Sequence, residues 1–245
     1  MRENRSMAIS RKVKTPHRSP GKSTDTEDRT IAITTPVPRV ARVARVNKLE
    51  QIREEAERQF ARLGFEGVSL DSIAAALGIS RQNMLYYFST KDELYVTVLN
   101  NVLTSWMQNM EDLAKEDKPA EAISRYVRIK LRFSQERPFG SAVFAREVLA
   151  GAPRFGEKLL EMVLPRLRAD IATFERWASE GLIKTVDFTH LMFIIWSSTQ
   201  AYADLAPQFA LFMGKPELES PDFESAHTLI TEMVVRTLTL TKGRR

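Results

Sequence analysis

Residues 68–94 read VSLDSIAAALGISRQNMLYYFSTKDEL, and the architecture of the chain turns on them. Leu70, Ile73, Ala74 and Leu77 recur at helical spacing and predict a short helix with one apolar stripe. Ser69 stands where its cap belongs. Gly78 ends the helix, because glycine takes the left-handed conformation that a helix terminus often needs. Ile79 fills the corner. Ser80 is a strong N-cap for the next helix, which opens with Arg81, Gln82 and Asn83. Two short helices joined by a glycine-containing turn form the helix-turn-helix arrangement. In it, the first residues of the second helix meet base edges in the major groove. Arg can pair with guanine, and Gln or Asn with adenine. Ser69 is a further DNA-binding candidate, and Ser80, Tyr86, Tyr87 and Lys91 are candidates to hold phosphates, Lys91 at a helix start where free N–H groups also favour an anion. On these residues alone, a helical hairpin with a solvated polar turn fits as well.

Outward from this stretch the pattern stays helical. Leu49, Ile52, Ala56, Phe60 and Leu63 fall on one face of a helix over residues 44–63. Gly64 and Gly67 bracket a turn that tucks Phe65 under the motif. Leu94, Val98, Val102 and Trp106 are in register on a helix over residues 91–115, the natural lever between the motif and the rest. Pro119 opens a helix carrying Ala122, Ile123, Tyr126, Val127, Lys130 and Phe133. Pro138 opens another, stopped by Gly151-Ala152-Pro153. Further helices are expected over residues 155–179, with a kink at Pro165, from Asp187 to about Leu205, and over residues 222–240. No alternating strand pattern occurs, so the fold class is all-α. The apolar run at 188–196 falls short of the about 20 residues needed to span a bilayer. It therefore predicts a buried helix and no membrane partner. With the last helix (Leu229, Ile230, Met233, Val234, Leu238) it is the candidate seam of a homodimer; packing within one chain is the alternative.

The order Ser69, Ile73-Ala74, Gly78-Ile79-Ser80, an aromatic helix end, Phe88 and Lys91 resembles the DNA-binding domain of the TetR family of bacterial regulators. Leu85 and Tyr87 depart from it, standing where Tyr and His are usual. The resemblance implies a three-helix helix-turn-helix DNA-binding domain at 44–90 and a larger helical ligand-binding and dimerisation domain at 91–245. It implies a dimeric regulator, read here as a repressor, that binds a palindromic operator on double-stranded DNA and answers to a small-molecule effector. The segments at 84–88, 129–133, 147–153 and 190–204, with Trp106, resemble a uracil-responsive branch of that family. That likeness implies a pyrimidine pocket lined by Trp106, Met107, Trp196 and Gln200. Ala145-Arg146 stands where that branch carries Cys-Met.

The residues support a small polar ligand in their own right. At about 100° per residue, Trp196, Gln200 and Asp204 share one helix face. They offer a flat aromatic surface, a carboxamide that pairs with a cis-amide edge, and a carboxylate that accepts a ring N–H. Asp204 and Tyr202 join the candidate site on this chemistry. The alternative is that Gln200 and Asp204 bond between helices and the tryptophans fill core.

Charge is unevenly placed. The chain carries +5, yet residues 1–46 hold 11 Lys and Arg against 4 Asp and Glu. The remainder is nearly neutral. Residues 1–43 read as a disordered basic arm, rich in Ser, Thr and Pro, and a basic arm would add phosphate contacts. No apolar core of secretory length follows its charges, and the cytoplasm is the expected location. Cysteine is absent, and His17, His190 and His227 have no ligand spacing, so neither disulfide, metal nor cofactor is expected. An all-helical enzyme is the rival from another class, but no nucleophile–base pairing or phosphate loop supports it. A regulator of another ligand, or a DNA-binding protein that recruits partners without one, remains open.

Overall fold

The computed structural model describes residues 39–110, 113 and 118–240, and every regular element among them is helical. Helix α1 spans Arg39–Leu63, α2 Leu70–Ala76, α3 Arg81–Tyr87 and α4 Lys91–Asn109. Then follow α5 (Pro119–Glu136), α6 (Pro138–Leu149), α7 (Gly156–Ser179), α8 (Phe188–Asp204), α9 (Ala206–Phe212) and α10 (Ser220–Leu238). No helix among the described residues is long and apolar enough to cross a membrane.

The local signals act as their chemistry dictates. Ser69 accepts from the Ser72 backbone N–H, and the Ser72 hydroxyl takes the Ser69 N–H in return, a reciprocal cap. Ser80 caps α3 at Asn83, and Thr90 caps α4 at Glu93. Gly78 has φ +63°, and the Ile79 N–H returns to the Ala74 carbonyl, which closes α2.

Two boundaries and one element differ most from the sequence expectation. Helix α1 starts at Arg39 rather than 44, so residues 39–43 of the expected disordered arm are helical; the run RVARVARV is made largely of Ala and Arg, good helix formers. The rest of that arm, residues 1–38, lies outside the described residues. The lever helix α4 stops at Asn109, short of residue 115. Helix α9 had no sequence expectation; its single turn or two shows no clear period, and Pro207 sits in its first turn. Helix α7 runs through Pro165 without interruption.

Two hydrophobic clusters divide the interior. One gathers Ile52, Ala56 and Phe60 of α1, Ile73 of α2, Met84 of α3, Leu94, Val98 and Leu99 of α4, and Val143 of α6. The other gathers Ile123, Tyr126 and Val127 of α5, Phe174 and Trp177 of α7, Met192 and Ile195 of α8, and Ile230 and Val234 of α10. Burying each large apolar side chain contributes about 1.5–3 kcal/mol. Trp106 packs against both clusters.

Helix α6 ties the two together, packing on α1, α4, α5 and α8. Gly140 permits its closest approach: a Cβ there would lie 3.0 Å from both the Glu57 carboxylate and a Val102 methyl. Arg137 of the same helix boundary pairs with Glu57 at 2.5 Å and bonds Asn101 at 3.2 Å. A branched side chain at 140 would force this seam apart. Gly140→Val is expected to destabilise the protein by about 1–3 kcal/mol, read as a lowered midpoint in thermal melting.

Candidate nucleic-acid interface and effector site

The first residues of α3 stand on the surface. Arg81, Gln82 and Asn83 are all exposed, while Met84, the next residue, is fully buried and anchors the helix. Arg81 pairs with the exposed Asp71. A surface pair of this kind contributes about 0–1 kcal/mol, so the guanidinium can leave it for a base. Tyr86 is 65% exposed and stacks edgewise on Tyr87 at 5.2 Å. Arg45 of α1 lies over the Tyr86 ring at 5.3 Å. This places a cation of α1 beside α3 that the sequence reading passed over, because Arg45 lay at the edge of a basic run. Lys91 is turned partly inward. Its ammonium donates to the Phe65 carbonyl at 2.9 Å and sits 4.1 Å over the Phe65 ring. Two of its three donors remain for a phosphate.

The second site lies where α4, α5 and α8 meet. Trp106 and Trp196 touch edge to face, with centroids 6.1 Å apart and planes at 83°. Trp196 is pinned, since its indole N–H donates to the Tyr126 hydroxyl at 2.8 Å. Beneath the pair lies Lys130, with Nζ 4.5 Å from the Trp106 ring and 5.5 Å from Trp196. Burial of this side chain pushes its pKa down to about 7, and the charge of Asp170 opposes that shift. Asp170 is itself buried and paired with Arg166 at 3.0 Å. Burial also raises the Tyr126 pKa, with Asp170 adding to the effect. One turn beyond Trp196, the Gln200 amide donates to Asp204 at 2.9 Å and to Ser141 of α6 at 3.3 Å.

The structure gathers some of the expected residues and separates others. Trp106, Trp196 and Gln200 line one region. Tyr202 does not join them: its ring packs on Phe209 at 5.4 Å and Phe223 at 6.0 Å, because six residues along a helix turn a side chain about 120° away from Trp196. Met107 packs into the cluster of α1, α4 and α6, one residue round the helix from Trp106. Asp204 is exposed and holds Gln200, and partial burial of its carboxylate pushes its pKa up against that hydrogen bond. Arg146 points to α1, donating to the Ala61 carbonyl at 3.1 Å. Lys130, Tyr126 and Asp170 were not singled out from sequence. The signal was present: a lysine stood in the apolar register of α5. Below the site a narrow apolar gap is lined by Leu113, Ile123, Tyr126, Phe174, Met192 and Ile195, with no room for a water molecule. The tryptophans are closed on one another.

Comparison with known proteins bears on the family and the fold. Residues 52–98 match the family described as bacterial regulatory proteins, tetR family. Residues 99–241 match the YcdC-like protein, C-terminal region. The chain is 36% identical over 167 residues to the HTH-type transcriptional regulator RutR of Escherichia coli strain K12, covering 68% of this chain and 79% of that protein. Its fold is similar to that of the TetR family transcriptional regulator PfmR from Thermus thermophilus, with a TM-score of 0.61 and 20% identity over 77% of this chain and 99% of that one. The ketosteroid transcriptional regulator KstR2 of Mycobacterium tuberculosis matches with a TM-score of 0.62 and 15% identity over 79% and 96%.

Gln82→Ala is expected to weaken binding to a duplex selected by the protein from a random pool by about 1–3 kcal/mol. Binding to a scrambled duplex should be unchanged, as read by fluorescence anisotropy; equal loss on both would remove Gln82 from base reading.

Proposed function

The chain belongs to the TetR family of bacterial regulatory proteins, with a YcdC-like C-terminal region, and is a DNA-binding transcriptional regulator rather than an enzyme; from that premise we propose that it is a homodimeric repressor released by a planar small molecule, a pyrimidine base such as uracil. In this reading Arg81, Gln82 and Asn83 read bases, Ser80, Tyr86, Tyr87 and Lys91 hold phosphates, and Ser69 stands beside them at the cap of α2. It acts in the cytoplasm, where its operator is.

One observation carries the effector half: a tryptophan fixed to the body faces a tryptophan that rides on the lever. Trp196 is held by Tyr126. Trp106 belongs to α4, whose first turn follows directly from the helix-turn-helix. A planar ring sandwiched between two indoles needs about 7 Å between their planes, two van der Waals contacts of about 3.5 Å. The present centroid distance is 6.1 Å with the rings crossed. Admitting a ligand therefore means turning Trp106 and shifting it outward by about 1 Å. Such a shift tilts α4 and changes the spacing of two reading heads from the about 34–36 Å of one DNA turn. The ligand shifts the population because it fits the opened state better than the closed one. Gln200, already within reach of Ser141 and Asp204, would exchange those bonds for a cis-amide edge. The similarity to RutR supports placing the ligand among pyrimidine bases.

The dimer half is supported by exposed apolar residues. Phe193 and Ile194 of α8 are 44% and 56% exposed, and Leu229 and Met233 of α10 are each 58% exposed. Side chains of this kind on two adjacent helices suit burial against a second copy, and stable interfaces cover about 800 Å² per partner.

Calorimetric titration of the full-length protein with uracil tests the effector: binding near one site per subunit is expected, lost in Gln200→Ala while DNA binding persists. No heat in the parent protein would remove the pyrimidine reading. Ile194→Asp is expected to give a monomer by light scattering, with operator affinity lowered at least about tenfold; an intact dimer would move the seam elsewhere.

A further inference from the structure

Lys130 has a surrounding that structure alone does not need. It is 7% exposed in the middle of α5, between Val127 and Leu131 of the core. Among the described residues no protein acceptor bonds its Nζ, which is not wholly shut off from solvent. Its neighbours are the Trp106 and Trp196 rings. Asp170, the carboxylate acting on it, is already paired with Arg166. A buried ammonium normally spends its three donors on acceptors, and leaving them unmet costs free energy. Were the side chain there only to fill space, an apolar residue of similar volume would serve as well or better. The cation–π contacts hold the charge without satisfying its donors. The group is thus poised for an acceptor that enters at the two indoles, one helical turn from Gln200.

We infer that Lys130 selects the effector: it takes the deprotonated edge of a weakly acidic planar N-heterocycle, so that the ligand is bound as its ring anion between Trp106 and Trp196. This rests on the planar-ligand reading above and narrows it to a chemical class. The proton leaving the ring N–H passes to Nζ where that amine is neutral, and to water where it is already an ammonium; charge and protons balance in both cases. Gln200 then reads the adjoining amide edge, and Lys130 reads acidity. A neutral planar ring of the same shape would leave the Lys130 donors poorly matched.

The test compares uracil with 5-fluorouracil, which differs by one fluorine for hydrogen and is the stronger acid. Both are titrated calorimetrically into the full-length protein at neutral pH, and then into Lys130→Met. The parent protein is expected to bind 5-fluorouracil at least about tenfold more tightly than uracil, the scale of one charge-assisted hydrogen bond. In Lys130→Met, uracil affinity falls about tenfold and the preference shrinks to within about twofold. Circular dichroism melting checks the variant, which should be as stable as the parent. Uracil bound with no preference for the fluorinated base, or a preference retained in Lys130→Met, overturns the role of Lys130 and leaves the proposed function standing. Absence of heat with both bases in the parent protein removes the pyrimidine reading of the proposed function and this inference with it. Should Lys130→Met fail to fold, the comparison in the parent protein decides alone.

Discussion

The two hydrophobic clusters are coupled by the contact of Trp106 with Trp196 over one buried lysine. Lys130 has lost most of its water, and aromatic faces and a carboxylate shared with Arg166 stand in its place. Desolvation disfavours the charged form of such a group. Lys130 lies where Trp106, the hydrophobic side chain among those described that packs against both clusters, joins the helix-turn-helix head to the body. A shift of Trp106 would reach both clusters through one side chain.

The head is not joined to the body by α4 alone. Phe65, in the turn between α1 and α2, is held from above by Arg154 at 3.6 Å and by Lys91 at 4.1 Å, with Tyr95 edge-on at 4.9 Å. Arg137 reaches Glu57 of α1, and Arg146 reaches the carbonyl of Ala61. The arginine contacts come from α6 and the loop after it, the same helix whose Ser141 meets Gln200. The loop itself is costly: Ala152 has φ +54°, a left-handed conformation worth about 1–2 kcal/mol for a residue with a Cβ. Glu147 holds it by accepting from the Arg154 N–H at 2.7 Å. A tilt of α4 must therefore slide past, or carry with it, the α6 seam.

Similarity to other proteins divides along the same physical lines. The fold is shared with regulators only 15–20% identical, because helix caps, a glycine corner and an apolar register suffice to build it. The 36% identity to RutR over 167 residues is of another order, more than helix-forming patterns alone require. Fold similarity at the lower level says nothing of the ligand, since function belongs to the site rather than the scaffold.

The sequence by itself determined the helices and the reading motif. Caps at Ser69, Ser80 and Thr90, the corner at Gly78 and the 3.6-residue stripes are written in neighbouring residues, so the helix-turn-helix and its exposed Arg81, Gln82 and Asn83 were legible without coordinates. It also pointed to Trp106, Trp196 and Gln200. It misplaced Tyr202, which shares a helix but not a face with Trp196, and it passed over α9, too short to show a period. Only the tertiary structure decided that Tyr126 pins Trp196 from 70 residues away, that Lys130 rather than a leucine-like neighbour fills the space under the indoles, and that Arg137 and Glu57 meet across 80 residues. Local periodicity fixes which face of a helix is apolar. Which partner that face meets is set by the packing of all the helices at once, and a buried lysine reads along the chain like any other residue on the stripe.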